Sequence, residues 1–234
     1  MDTRFWGPSA WRLLHLMAFS DHRSPELYTF IKNLPHILPC KYCRESLKKF
    51  YKESPLRESY KNSEPDRLAK WMYEIHNDVN NKLRKQGLLK TPNPTFAEVK
   101  EIYEPWLTNP PEHILGFDFF KSVAYAKSKS SKEPELKEWW NSVGKALPFS
   151  SWREQWKEAE KREGKAPVEK GKQAMIAWLY KIQGKQTYND FTKETRAFSS
   201  SCKKGKTCRV AKTKQRDAIK EKRRKTLKQV GGFF

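Results

Sequence analysis

The chain has 234 residues, enough for one large domain or two small ones with a proper buried core. Its net charge of +21 is uneven, since residues 1–104 carry 18 basic and 13 acidic groups, whereas residues 202–230 carry 13 basic and 2 acidic groups. No apolar run is long enough to predict a membrane span. The opening residues do not resemble a secretory or mitochondrial leader. We therefore expect a cytosolic protein, in which a close cysteine pair binds metal or reacts rather than serving as a structural disulfide.

Helical periodicity runs through most of the sequence and strand signals are scarce, so we predict an all-α protein. A first helix is predicted from an apolar face at helical spacing, made of Trp11, Leu14, His15, Ala18 and Phe19. A second helix should begin at Ser24 as the N-cap, because Pro25 follows at the first helical position.

A third helix should begin at about Cys40 and carry Cys43 on its first turn. A fourth is predicted from near Asp66 to Gly87, and a short fifth from the capping-box spacing of Thr95 and Glu98. Helices with such short connections predict a four-helix bundle plus a short fifth helix in residues 1–106.

Residues 110–195 form a second predicted helical region that is rich in tryptophan. These tryptophans predict a small core of their own; a stacking platform for nucleic-acid bases is the alternative. Residues 196–234 form a basic tail with few large apolar groups, which we expect to be disordered until a partner binds.

Three kinds of site are compatible with Cys40 and Cys43, which are separated by two residues. Half of a zinc site would require two further ligands, and His36 and His76 do not form a suitable pair. A thioredoxin-like motif would require a preceding strand, which the sequence does not predict. A redox disulfide at a helix N-terminus remains, since the helix dipole and free N–H groups stabilise a thiolate there. Arg44 and Glu45 are predicted to form an exposed first turn.

The residues around the dithiol suit a flat aromatic cofactor with a phosphorylated tail. His15 follows Trp11 by one helical turn, and His76, Asn77 and Asn80 line one edge of the fourth helix. Aromatic faces could stack on a ring system, amides could bind ring edges, and the lysines that follow could bind a pyrophosphate.

The segments "WGPSAWRLLH", "PCKYC" and "HNDVNNKL" together resemble the Erv/ALR family of flavin-dependent sulfhydryl oxidases. The resemblance covers roughly residues 5–106 and implies a four-helix bundle with a short fifth helix, non-covalent FAD and a homodimer. It implies that Cys40 and Cys43 are catalytic. The implied FAD contacts are Gly7, Trp11, His15, His76, Asn77, Val79, Asn80, Lys82 and Leu83, with Lys85 and Trp106 as looser matches.

The resemblance also implies a mechanism. A substrate thiolate attacks the more exposed sulfur, which by family analogy is Cys40, and electrons leave through the flavin-proximal Cys43 to FAD and then to O2, giving hydrogen peroxide. The chain departs from many cellular members at Pro8, where they have Arg, and in lacking a cysteine near residues 90–99 for their structural disulfide. These departures and the basic tail resemble the enzymes of large DNA viruses. They imply a location in the host cytoplasm, at a viral factory, and in the virion.

Two hypotheses concern the tail. Cys202 and Cys208 could form a shuttle disulfide that carries electrons from protein substrates, or they could be idle or bind a metal weakly. The Lys- and Arg-rich residues could contact nucleic acid or another polyanion, direct localisation, or act as a solubilising arm. The rival function for the whole chain is a basic virion or nucleic-acid-binding protein that uses an inactive bundle as a scaffold.

Overall fold

The computed structural model describes residues 2–126, 133–184 and 188–196, and every regular element within these ranges is a helix. The all-α prediction is therefore confirmed. The helices are α1 (Thr3–Phe19), α2 (Pro25–Ile37), α3 (Lys41–Glu53), α4 (Pro65–Lys85), α5 (Phe96–Thr108), α6 (Phe117–Ala126), α7 (Pro134–Ala146), α8 (Ser150–Glu163), α9 (Gly171–Ile182) and α10 (Tyr188–Arg196). A 3-10 helix at Glu58–Asn62 precedes α4, and another at Val168–Lys170 precedes α9.

The predicted helix termini are confirmed by their capping contacts. The Ser24 hydroxyl accepts a hydrogen bond from the Leu27 amide at 3.0 Å, so α2 begins as its sequence indicated. Thr95 and Glu98 form the predicted capping box at the start of α5. Beyond the end of α4, Gly87 has a φ of 66°, a left-handed conformation that glycine adopts without strain.

The first five helices form the predicted bundle. Helix α1 packs against α4 and α5, while α3 packs between α2 and α4. Side chains of α1 and α2 are fully buried in the core: Leu13, Leu16, Met17, Phe30 and Ile31. Since α1, α3 and α4 carry the predicted site residues, this packing brings their faces together.

The tryptophans of α8 and α9 pack on aromatic rings of their own region, where Trp156 lies 5.8 Å from Phe120 and 5.6 Å from Trp178 between ring centroids. This core is not separate, however, because it continues into that of the first bundle. Helix α6 packs on α1 and α7 packs along α2, and the buried residues of both regions belong to one continuous cluster. At this contact the rings of Phe30 and Trp139 lie 4.9 Å apart, and those of Trp6 and Phe119 lie 5.8 Å apart. Trp139, Trp152 and Trp156 are at most 1% exposed and cannot serve as a stacking platform for bases.

No helix in the described ranges is long and apolar enough to cross a membrane. Cys202, Cys208 and the basic residues around them lie outside the described residues, so the hypotheses about the tail are not addressed by the fold.

Replacing Trp139 with alanine should destabilise the whole bundle, because Trp139 contacts Phe30 of α2 as well as Phe119 and Phe120 of α6. Losing a buried aromatic side chain typically costs about 3–5 kcal/mol of unfolding free energy. Urea unfolding followed by circular dichroism should show a single transition at a lower midpoint. Tyr125→Ala, which removes a side chain that is 39% exposed, is the control and should cost much less. Two separate transitions, with only one of them shifted by Trp139→Ala, would contradict a continuous core.

Candidate active site

The dithiol lies at the start of α3, where the backbone turns from α2 into the new helix. Cys40 is the N-cap residue, and its sulfur accepts a hydrogen bond from the Cys43 amide at 3.3 Å. The side chain that accepts this hydrogen bond at an N-cap is usually a hydroxyl or a carboxylate, and here it is a thiol. The position gives the sulfur a direct interaction with the positive end of the helix.

The two thiols differ in acidity because they share a proton. The Cys43 thiol hydrogen-bonds to the Cys40 sulfur, and together with the amides of Cys43 and Tyr42 it lowers the pKa of Cys40 to about 7 despite burial. The same contact, with burial added, raises the pKa of Cys43 well above its ordinary value. In the reduced pair the thiolate therefore forms at Cys40 while the proton stays on Cys43.

The exposure of the dithiol differs from the expectation at Cys40. Cys40 is 1% exposed, so its sulfur is not open to a substrate thiolate as the resemblance implied, and Cys43 as a whole residue is half-buried. The reason is the capping geometry, which turns the Cys40 side chain inward onto the Cys43 amide. Cys43, one turn later, lies on the side of α3 that faces α4.

Arg44 fixes the first turn of α3 to the end of α2. Its guanidinium donates a hydrogen bond to the carbonyl oxygen of Leu38, the C-cap residue of α2, at 2.5 Å. Arg44 is half-buried, so the prediction of an exposed residue is wrong for it, whereas Glu45 is exposed as predicted.

Lys82 connects α4 to the dithiol helix. Its ammonium donates hydrogen bonds to the carbonyl oxygen of Tyr42 at 3.4 Å and to the hydroxyl of Ser46 at 2.5 Å. These two residues flank Cys43, and the positive charge partly offsets the raised pKa of that thiol. Neither Tyr42 nor Ser46 was singled out from the sequence, and their spacing around Cys43 is the one signal that could have indicated them.

Aromatic rings from α1, α4 and α5 form a stack between these helices. The rings of Trp11 and His76 are nearly parallel, at 9°, and their centroids are 3.8 Å apart. A hydrogen bond of 2.9 Å joins Nε2 of His15 to Nδ1 of His76. On its other side His15 stacks on Tyr103 at 5.2 Å. The structure therefore brings three predicted residues together and adds Tyr103, which the sequence analysis missed.

Both histidines are uncharged at neutral pH. Burial lowers the pKa of His15 to about 3, and burial together with the neighbouring His15 lowers the pKa of His76 well below its ordinary value. The stack is thus an uncharged, flat, largely apolar surface with ring nitrogens at its edge.

Helix α5 contributes the rim of this stack. Trp106 is half-buried, contacts Tyr103 edge-on at 6.3 Å between centroids, and lies 5.5 Å from the guanidinium carbon of Arg12. Tyr103 precedes Trp106 by three residues and so shares its helix face. That spacing is the signal by which Tyr103 could have been found.

The remaining predicted residues follow α4 away from the stack. Asn77, Val79, Asn80 and Leu83 are half-buried, whereas Lys85 is exposed. Together they form a strip along α4 that is half-buried over most of its length and exposed at its end, at Lys85.

These residues fit a bound FAD on three observations. A Cβ added to Gly7 would meet no atom within 4 Å, so nothing in the described chain explains a glycine that costs a helix about 1 kcal/mol relative to alanine. Nδ1 of His15 is buried and has no hydrogen-bond partner among the described residues. The strip on α4 supplies amide and ammonium donors for ring edges and phosphates. Within the described ranges, no group of three or more His, Cys, Asp or Glu side chains could hold a metal ion.

Comparison with known proteins assigns this arrangement to a family. Residues 8–104 match the model of the Erv1 / Alr family. The chain is 36% identical over 105 residues to the FAD-linked sulfhydryl oxidase of African swine fever virus, covering 42% of this chain and 80% of that protein. The chain therefore belongs to the Erv1/Alr family.

Two other relatives show how far the similarity extends. The probable FAD-linked sulfhydryl oxidase R368 of Acanthamoeba polyphaga mimivirus is 30% identical over 126 residues, which are 51% of this chain and 82% of that protein. The mitochondrial FAD-linked sulfhydryl oxidase ERV1 of Saccharomyces cerevisiae is 37% identical over 91 residues, or 36% of this chain. The match spans 46% of the yeast protein, less than half of its length. No solved structure matches the chain significantly.

The ionisation of Cys40 provides a test of the site's electrostatics. Because its pKa is lowered to about 7, the Cys40 thiolate fraction in the reduced protein should rise through one half near that pH and stay high above it. Cys43→Ala removes the thiol donor and should move this transition to higher pH. The 13Cβ shift of labelled cysteine, followed against pH in a Cys202→Ser/Cys208→Ser background, measures it.

Glu45→Gln is the matched control, since Glu45 is an exposed neighbour that pairs with Lys41 at 3.8 Å. Its transition should stay close to that of the unaltered chain. An unchanged Cys40 transition in Cys43→Ala would show that the thiol contact does not set the acidity.

Proposed function

We propose that the chain is an FAD-dependent thiol oxidase that forms disulfides in protein substrates, with Cys40 and Cys43 as its catalytic pair. The observation that carries the proposal is the N-capping dithiol, whose second cysteine faces the helix that bears the His76–Asn80 strip. The names of the family relatives support FAD as the cofactor and thiols as the substrates.

The residues that would hold FAD are those of the stack and the strip. Trp11, His15 and His76 provide the flat uncharged surface, and Gly7 leaves room beside it. We assign the amides and lysines of α4 to the polar parts of the cofactor: Asn77, Asn80, Lys82 and Lys85. Val79, Leu83 and Trp106 complete the lining.

The two cysteines take different roles in the proposed reaction. A substrate thiolate attacks the Cys40–Cys43 disulfide at Cys40 and forms a mixed disulfide, which releases Cys43 as a thiolate; Lys82 lies close enough to stabilise that charge. A second substrate thiol then attacks the mixed disulfide, releasing an oxidised substrate and leaving the reduced pair. When bound, FAD would supply the two-electron acceptor that reoxidises the Cys40–Cys43 dithiol and would pass those electrons to O2, giving hydrogen peroxide. Because Cys40 is buried, substrate access requires the first turn of α3 to open locally.

We propose three functional units along the chain. Residues 1–106 are the FAD-binding oxidase bundle, residues 110–195 support it, and residues 196–234 contact a polyanion such as nucleic acid through their positive charge. The viral relatives support a site of action in the host cytoplasm at a viral factory, and in the virion. The homodimer implied by the resemblance is not part of this proposal, because α6 and α7 cover the outer faces of α1 and α2.

The scaffold alternative is not favoured by the site. An inactive bundle would not require a capping dithiol with a lowered pKa or an intact histidine–tryptophan stack, and both are present.

Three substitutions separate the proposed roles of the site residues. Cys40→Ser and Cys43→Ser should retain bound flavin but lose nearly all dithiothreitol-dependent oxygen consumption, because the disulfide cannot form. His76→Ala should lose most of the flavin, because the ring that stacks on Trp11 is removed. Absorbance at the flavin bands and an oxygen electrode give the two readings.

His113→Ala is the matched control, since His113 is exposed and lies outside the site; both readings should be unchanged. A colourless wild-type protein that does not bind added FAD would refute the cofactor. Full oxygen consumption by Cys43→Ser would refute the role of the dithiol.

The tail cysteines offer a separate prediction. If Cys202 and Cys208 carry electrons from bulky substrates to the active pair, Cys202→Ser should slow oxidation of a reduced protein severalfold but leave dithiothreitol oxidation unchanged. Parallel peroxide assays with both substrates make the comparison. Equal rates for both substrates in the variant and the wild type would remove the shuttle from the proposal.

A further inference from the structure

Helices α6–α9 repeat the sequence pattern of α1–α4. An offset of 109 residues aligns residues 7–53 with residues 116–162 without a gap. It pairs Pro-Glu-Leu at 25–27 with Pro-Glu-Leu at 134–136, Leu-Pro at 38–39 with Leu-Pro at 147–148, and Arg-Glu at 44–45 with Arg-Glu at 153–154. An offset of 107 then pairs W-M-Y-E-I at 71–75 with W-L-Y-K-I at 178–182. Self-similarity at a fixed distance is the signature of an internal repeat.

The two sets of helices also pack alike. Helix α1 packs on α4, α2 on α3, and α3 on α4; correspondingly α6 packs on α9, α7 on α8, and α8 on α9. Helices α2 and α7 have the same length of 13 residues, and a 3-10 helix precedes the fourth helix of each set.

Two unusual hydrogen bonds recur at equivalent positions. Arg44 donates to the Leu38 carbonyl oxygen at 2.5 Å, and Arg153 donates to the Leu147 carbonyl oxygen at 2.8 Å. The indole N–H of Trp71 donates to the carbonyl oxygen of the C-cap residue of α3 at 3.0 Å, and that of Trp178 does so to the C-cap residue of α8 at 2.8 Å. Chance similarity of composition would not reproduce these contacts.

The interface between the sets has the reciprocity of a two-fold axis. Phe30 packs on Trp139, its own equivalent, at 4.9 Å between ring centroids. Glu26 pairs with Lys145 at 3.1 Å. Their equivalents under the 109-residue offset, Glu135 and His36, pair with each other at 3.9 Å. Contacts in which i meets j and j meets i define an isologous interface, which is the form of a symmetric dimer.

The second set retains the glycine of the proposed site, as Gly116, but lacks both cysteines and the residues of the aromatic stack. Its Phe149 and Trp152 stand at the positions of the two cysteines, and their rings pack edge-on at 4.8 Å. The equivalents of Trp11, His15, His76 and Asn77 are Phe120, Ala124, Gln183 and Gly184.

We infer that α6–α9 are a degenerate second copy of the oxidase bundle, which occupies the α1–α2 face as an internal partner. One chain thus has the architecture of a two-fold dimer with a single redox site. The face that a second subunit would need for such a dimer is filled by α6 and α7, so this dimer cannot form between chains and the expected species is a single chain of 27.7 kDa. This inference rests on sequence offsets and packing and does not depend on flavin binding.

A zero-length carbodiimide cross-linker tests the inference on the unaltered full-length chain. Glu26 and Lys145 should become joined by an amide within one chain, so the cross-linked peptide should be found by mass spectrometry in the monomer band of a denaturing gel. The pair of Asp66 and Lys100, which lies outside the interface at 2.9 Å, reports that the reagent has worked. Lys145→Arg keeps the charge, removes the reactive amine and should abolish only the first cross-link.

The Glu26–Lys145 peptide in a dimer band would overturn the inference, because the partner face would then come from a second chain. Loss of that cross-link while Asp66–Lys100 still forms would also overturn it. Sedimentation velocity of the same preparation should give one species of 27.7 kDa at all concentrations, and a dimer held through α2 and α7 would contradict the internal partner.

Discussion

The site depends on how the start of α3 is fixed to the end of α2. The hydrogen bond from Arg44 to Leu38 holds the turn, and the turn places Cys40 as the cap and Cys43 toward α4. The second copy keeps the same bond through Arg153 although Phe149 and Trp152 have replaced the cysteines. The turn is therefore required by the fold of the bundle, and the fold does not require cysteines at its two redox positions. Losing the chemistry in one copy left the turn and its packing intact.

The electrostatics divide the site into a charged and an uncharged part. The helix terminus, the shared proton and Lys82 favour sulfur anions on the α3 side, whereas burial keeps His15 and His76 neutral on the α1–α4 side. The anion-favouring environment on the α3 side suits a thiolate, and the uncharged environment on the α1–α4 side suits a flat ring system. The packing of α3 on α4 brings the helices that carry these two environments together, which is what electron transfer from dithiol to cofactor requires.

Much of the bundle could be predicted from the sequence because its signals are local. Ser24 with Pro25, the Thr95–Glu98 capping box and the three motifs around Trp11, Cys40 and His76 indicated both helices and site. Three features could not be predicted, because sequence spacing does not determine how side chains are directed across neighbouring helices. They are the burial of Cys40, the hydrogen bond from Arg44 to Leu38 and the stacking of Tyr103 on His15. The shared core was missed for a different reason. The second copy retains no cysteine or histidine of the motifs. Its similarity to the first copy is limited to the Pro-Glu-Leu, Leu-Pro and W-x-Y-x-I patterns, and each of these alone looks like an ordinary helix signal.

The central claim is that the dithiol reduces a flavin bound on the α1–α4 face, and an anaerobic titration with dithiothreitol tests it most directly. With oxygen excluded, the visible flavin absorbance of the purified chain should bleach after two electrons per flavin have been added beyond those that reduce the disulfides. The Cys43→Ser protein should hold the same flavin and remain yellow under the same conditions. Equal bleaching of both proteins would show that electrons reach the flavin without Cys43 and would contradict the proposed mechanism.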